Sequence, residues 1–131
     1  MTIDQVRSAS SGVAQPNPDR SLDVGGLKAA LMAPYQGGPM SFTAMFLFDA
    51  TGRLKVVTLN PVGAIACPMV VQELDANHGA PEARDDMGHA KTLRWDDVDN
   101  DNLIVYVDLG QGNCTIQYSP LPATRPDGKG L

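Results

Sequence analysis

The stretch "SFTAMFLFDATGRLKVVTLN", residues 41–60, constrains this chain more than any other, because two apolar alternating runs flank a short glycine-containing segment. It predicts a β-hairpin, and side-chain pairing selects its register. With a three-residue loop Ala50-Thr51-Gly52, Gly52 takes the left-handed position and Asp49 faces Arg53. Phe48 then pairs with Leu54, Phe46 with Val56 and Ala44 with Thr58. A two-residue loop would set Phe48 and Phe46 opposite Arg53 and Lys55, so the longer loop is favoured.

A second hairpin is predicted in "LIVYVDLGQGNCTIQYS". Turning through Gly110-Gln111-Gly112-Asn113 pairs Leu109 with Cys114, Val107 with Ile116 and Val105 with Tyr118. That leaves Ile104 and Tyr106 as exceptions on a wetter face. Between the hairpins, "CPMVVQELD" predicts a strand over Met69 to Leu74, and "KTLRW" a shorter one ending near Trp95. The connection from Asp75 to Ala90 carries Gly79, Pro81 and Gly88 and reads as a long loop.

Leu22, Leu27, Leu31 and Met32 fall near one helical face before Pro34, which predicts a short helix over residues 24–33 despite Gly25 and Gly26. Residues 1–20 hold too little apolar area to offset the entropy of ordering and read as a flexible or extended N-terminal arm. Residues 119–131, with Pro120, Pro122 and Pro126, read as an extended C-terminal arm, leaving 21–118 as one β-rich domain. A chain of 131 residues can bury a core without metal or disulfide support. Gly 13 and Pro 10 imply many turns and few long helices. The fold expected is mainly β, a small antiparallel sandwich or partly open barrel of about six strands with one short N-terminal helix. The alternative is α+β, with that helix on one face of a sheet.

Charge narrows the partners. Of the formal −5, a net −7 lies between Glu73 and Asp108, where ten acidic residues face three basic ones. An acidic band repels phosphate backbones, so nucleic-acid binding is disfavoured. Pro34, Gly37, Gly38 and Pro39 interrupt one uncharged run, and Asn60, Pro61 and Pro68 the other, so neither reads as a membrane span. The first twenty residues show no apolar signal-peptide region, and the expected location is cytoplasmic or within an assembled particle. Cys67 and Cys114 lack the spacing of a disulfide framework or a zinc ribbon.

Three groups of residues suggest chemistry. In "DDVDNDN", Asp97, Asp99 and Asp101 match the alternating oxygens of a calcium loop, but Asn102 stands where glycine is expected and Val105 where a further acid is common. If Leu103 to Leu109 is a strand, Asp108 lies about 23 Å from Asp101, too far to close the site. A polar Asp/Asn turn is the simpler reading. The loop bearing His78, Glu82, Asp85, Asp86 and His89 is metal-capable, yet its Gly and Pro residues break the helix that would align them. Cys67 is conceivable as a nucleophile with His78 or His89 as base, but its apolar surroundings raise a thiol's pKa, and Cys114 reads as a core thiol.

With no nucleophile elbow, phosphate loop or zinc-binding helix motif, the expected function is non-enzymatic. The chain reads as a structural or interaction protein, an accessory subunit of a larger, virus-like assembly that contacts neighbours through its arms and acidic surface. Its partner is another protein or further copies of itself, with no nucleic acid and no membrane. No cofactor is expected, calcium at Asp97, Asp99 and Asp101 being the alternative. The alternatives are a calcium-dependent binding module there, and a metal- or thiol-dependent enzyme using the 78–89 loop or Cys67.

Overall fold

A computed structural model describes residues 1–18, 23, 25–63, 67–86 and 88–121. The fold is mainly β, as the alternation predicts, with helices added. Its strands form one sheet, antiparallel at every pairing among the described residues. The strands are β1 (Gln15–Pro16), β2 (Lys28–Gly37), β3 (Met40–Phe48), β4 (Leu54–Pro61), β5 (Ala83–Asp86), β6 (Lys91–Asp97), β7 (Asn102–Asp108) and β8 (Cys114–Pro120). Two meanders, β1 to β4 and β5 to β8, meet where β4 lies against β8. Both edges are blunt: β1 has two residues, and β5 is exposed throughout and carries Arg84, Asp85 and Asp86.

The first hairpin turns as its sequence dictates. The Asp49 amide donates to the Arg53 carbonyl at 2.8 Å, Gly52 has φ +80°, and Phe48 pairs with Leu54. Lys55 then forms a bulge, and the register shifts by one: Leu47 pairs with Val56, Phe46 with Val57 and Ala44 with Leu59. The shift has a clear physical cause. Without it Thr58 would face inward and Leu59 outward; with it Leu54, Val57 and Leu59 share the face of Phe46 while Lys55 stays outside, 3.8 Å from Asp49.

The second hairpin corrects the expected register. Its loop is the three residues Gly110-Gln111-Gly112, because the Leu109 amide donates to the Asn113 carbonyl and Gln111 adopts φ +57°. Asp108 therefore pairs with Cys114, Tyr106 with Ile116 and Ile104 with Tyr118. A one-residue slip exchanges the two faces. Ile104 and Tyr106, expected on the wetter side, are buried, while Leu109 is 60% exposed.

Four further expectations are corrected. Residues 28–37 form β2, not the end of a helix over 24–33: Gly25 and Gly26, both at positive φ, turn the chain, and Pro34 lies beyond the two residues that β1 pairs. The stretch expected as a strand over Met69 to Leu74 is helix α2 (Cys67–His78), whose Cys67, Val70, Val71 and Leu74 have i, i+3, i+4, i+7 spacing. The presumed loop from 75 to 90 is the end of α2 followed by β5. The N-terminal segment is not all loose: α1 (Ile3–Ala9) begins at Thr2 with a reciprocal capping pair to Gln5 and buries Val6. Most of the C-terminal arm, residues 122–131, lies outside the described residues.

Both helices pack on one face of the sheet. Met40, Phe42 and Ala44 of β3 contact the α2 cluster, Phe48 contacts the α1 cluster, and these β3 residues alternate onto one side. The larger cluster joins Val70 and Leu74 to Trp95, Ile104, Tyr106 and Ile116. On the opposite face Ala29, Met45 and Leu47 form a small patch with Leu27, Met32 and Val56. A disulfide between Cys67 and Cys114, 6.2 Å between Cα atoms, ties the start of α2 to the start of β8. The two thiols expected to be independent are therefore one crosslink.

Candidate functional site

The sequence-derived candidates disperse. Asp97 ends β6, Asp99 is exposed in the turn, and Asp101, rather than Asn102, takes the left-handed conformation at φ +56°. The Asp97 carboxylate accepts from the Asn100 side chain at 2.9 Å and lies 3.9 Å from His78 Nδ1. Asp108 pairs with Lys91 and Cys114 at the far end of β7. Glu82 accepts the Asp96 amide, Asp85 and Asp86 lie in β5 opposite Thr92 and Lys91, and His89 is exposed. Among the described residues, no three His, Cys, Asp or Glu side chains gather in a way that could hold a metal ion. Cys67, bonded to Cys114, presents no thiol.

What the fold does assemble is a trough. Strands β4 and β8 pair at Val57–Leu59 with Ile116–Tyr118, and this pairing does not extend to Leu54–Val56. The α1 and α2 clusters lie to either side, and Phe46 touches both without being fully buried by either. The result is a cavity of about 470 Å³, whose lining includes Phe46, Leu54, Lys55, Val57, Leu59 and Tyr118. Its size falls within the range of ligand sites, and its lining is mostly apolar.

A smaller polar cavity of about 170 Å³ shares Tyr35, Leu59 and Tyr118 with the first. Its other walls include Gln36, Gly38, Glu73, Asn77 and His78, so α2 carries most of its polar groups. Tyr35 is half exposed and stacks at a tilt on Phe42, 6.4 Å between ring centres. Burial foremost, then the nearby Tyr35 and Asp97, raises the Tyr118 phenol above its ordinary pKa and keeps it a neutral hydrogen-bond donor. Glu73 lies close over the β2–β3 turn: a Cβ at Gly38 would stand 3.2 Å from its Oε2. Among the described residues, Glu73 makes no ion pair.

The trough is hard to see in the sequence. Its floor depends on the Lys55 bulge, which brings Val57 rather than Val56 beside Phe46, and on the slip that sets Tyr118 opposite Ile104. The available signal is the density of "FTAMFLF", which offers more large apolar side chains than one helix covers.

Comparison with known protein families, characterised proteins and solved structures finds no match. Among the described residues, no helix is long and apolar enough to cross a membrane.

Proposed function

We propose that the chain is a non-enzymatic interaction domain that works as a subunit of a larger assembly and receives a partner protein in the trough beside β4 and β8. The observation that carries this reading is the incomplete cover of the sheet's helical face. Phe46, Leu54 and Val57 belong to the side on which the core is built, yet they open onto a cavity of about 470 Å³. An apolar cleft with tyrosines at its waist is the composition that protein interfaces favour. The Cys67–Cys114 bond favours an oxidising compartment over the cytoplasm expected from sequence.

The test is capture from the native host by three immobilised forms of the protein: wild type, Val57→Asp and Val105→Asp. Val57 lies in the trough, whereas Val105 alternates onto the opposite face. Circular dichroism checks that each variant is folded. A discrete partner retained by wild type and Val105→Asp but lost by Val57→Asp is the expected result. A wild-type chain that binds nothing and stays monomeric by light scattering overturns the proposal, as does capture indifferent to Val57.

A further inference from the structure

Resting on that reading, we infer that the trough's occupant is an extended partner segment carrying a bulky apolar side chain and, close to it, a lysine or arginine. The two cavities adjoin at Tyr35, Leu59 and Tyr118, which line both, but their chemistry differs. The larger end is walled by Phe46, Leu54 and Val57 and takes an aliphatic or aromatic group. At the smaller end Glu73 is the acidic wall, His78 lies beside Asp97, and the described lining holds neither lysine nor arginine. An anionic group placed there would meet Glu73 with no compensating Lys or Arg; a cationic one would supply that carboxylate with a counter-ion.

Two features favour a peptide over a compact ligand. The site is an open trough rather than an enclosed chamber, with separate apolar and polar ends. The same margin of β4 already accepts extended chain, since the Leu54 amide donates to the Met1 carbonyl at 2.6 Å and Thr2 bridges to Arg53. Those backbone groups are satisfied by the chain's own N-terminus, so a partner segment is chosen by its side chains at the two ends of the trough.

Synthetic acetylated hexapeptides that differ at one position test this. Each carries one Phe, and two residues on a Lys, a Gln or a Glu; binding to the full chain is followed by NMR amide shifts at slightly alkaline pH. The Lys peptide is expected to bind about tenfold more tightly than the Glu peptide, the scale of a half-exposed ion pair replaced by a like-charge contact. Shifts should cluster at Phe46, Val57, Tyr118 and Glu73. Glu73→Gln should remove the preference for Lys while preserving Phe-dependent binding, and Val57→Asp should abolish both.

Equal affinity for the Lys and Glu peptides overturns the inference while leaving partner capture through Val57 untouched. Binding of octylammonium with no peptide binding overturns it in favour of a small cationic amphiphile. A dimer that dissociates on Val57→Asp overturns it in favour of a second copy of this chain.

Discussion

Cys67, the first residue of α2, is disulfide-bonded to Cys114, the first residue of β8, across a sequence separation of 47. The bond closes the long excursion that carries α2, β5, β6 and β7, and it anchors the helix over the sheet beside Val70 and Leu74. A loop of this length is worth up to about 4 kcal/mol through restriction of the unfolded chain. Removing it with the double change Cys67→Ser and Cys114→Ser is expected to cost about 2–4 kcal/mol in denaturant unfolding. Wild type in reductant should show the same loss, and the double variant no further one. Equal midpoints with and without reductant would show that the crosslink does not form in solution.

The register of the β7–β8 hairpin gives a second expectation. Ile104 is fully buried between Tyr118 and Trp95, its partners on β8 and β6, whereas Val105 lies on the opposite face. Ile104→Ala should therefore cost about 2–5 kcal/mol, and Val105→Ala about 1 kcal/mol. The opposite ranking, measured by the same unfolding curves, is what the alternative four-residue loop requires.

These two hairpins show what was legible in the sequence. The strands of the two hairpins were readable because alternating runs and turn residues are local signals, and the Asp49–Arg53 turn was placed correctly because charges beside Phe46 and Phe48 ruled out its competitor. Register beyond each turn was not, since a bulge at Lys55 and a left-handed Gln111 are small backbone choices decided by packing across the sheet. Val70 and Val71 favour a strand by β-propensity, yet the spacing of Cys67, Val70, Val71 and Leu74 suits a helix, and tertiary packing selects the latter. The trough depends on both register choices, so no single motif could announce it.

Asp49 organises the first hairpin turn and carries a pH dependence with it. The Thr51 hydroxyl donates to its carboxylate at 2.6 Å, and the Arg53 and Thr51 amides donate at 3.0 and 2.9 Å, holding its pKa below the ordinary 3.8. A depressed carboxylate stabilises the folded state fully above its unfolded pKa, and that contribution disappears as pH falls through the folded value. Acidification below pH 3.8 should thus loosen this turn progressively. In an NMR titration the Asp49 carboxyl carbon is expected to shift with a midpoint under 3.8, and Thr51→Ala should move that midpoint upward. A midpoint at or above the ordinary value in wild type would contradict the hydrogen-bonded turn.

Trp95 is buried in β6, and its indole Nε1 donates to the carbonyl of Gly79 at 2.8 Å, just past the last residue of α2. The Gly79 amide in turn closes the final helical turn on Asp75. One side chain thereby fixes the distance between the sheet and the end of the helix that carries Glu73, Asn77 and His78. Trp95→Phe keeps an aromatic ring but removes the donor to the Gly79 carbonyl and leaves a small void, for an expected loss of about 2–4 kcal/mol. Because the polar end of the trough sits on that helix, the same variant should also reduce the preference for the Lys peptide over the Glu peptide. Binding to the apolar end, whose walls come from β3, β4 and β8, should change much less. A variant that loses stability but keeps the full charge preference would show that Trp95 holds the core without positioning α2.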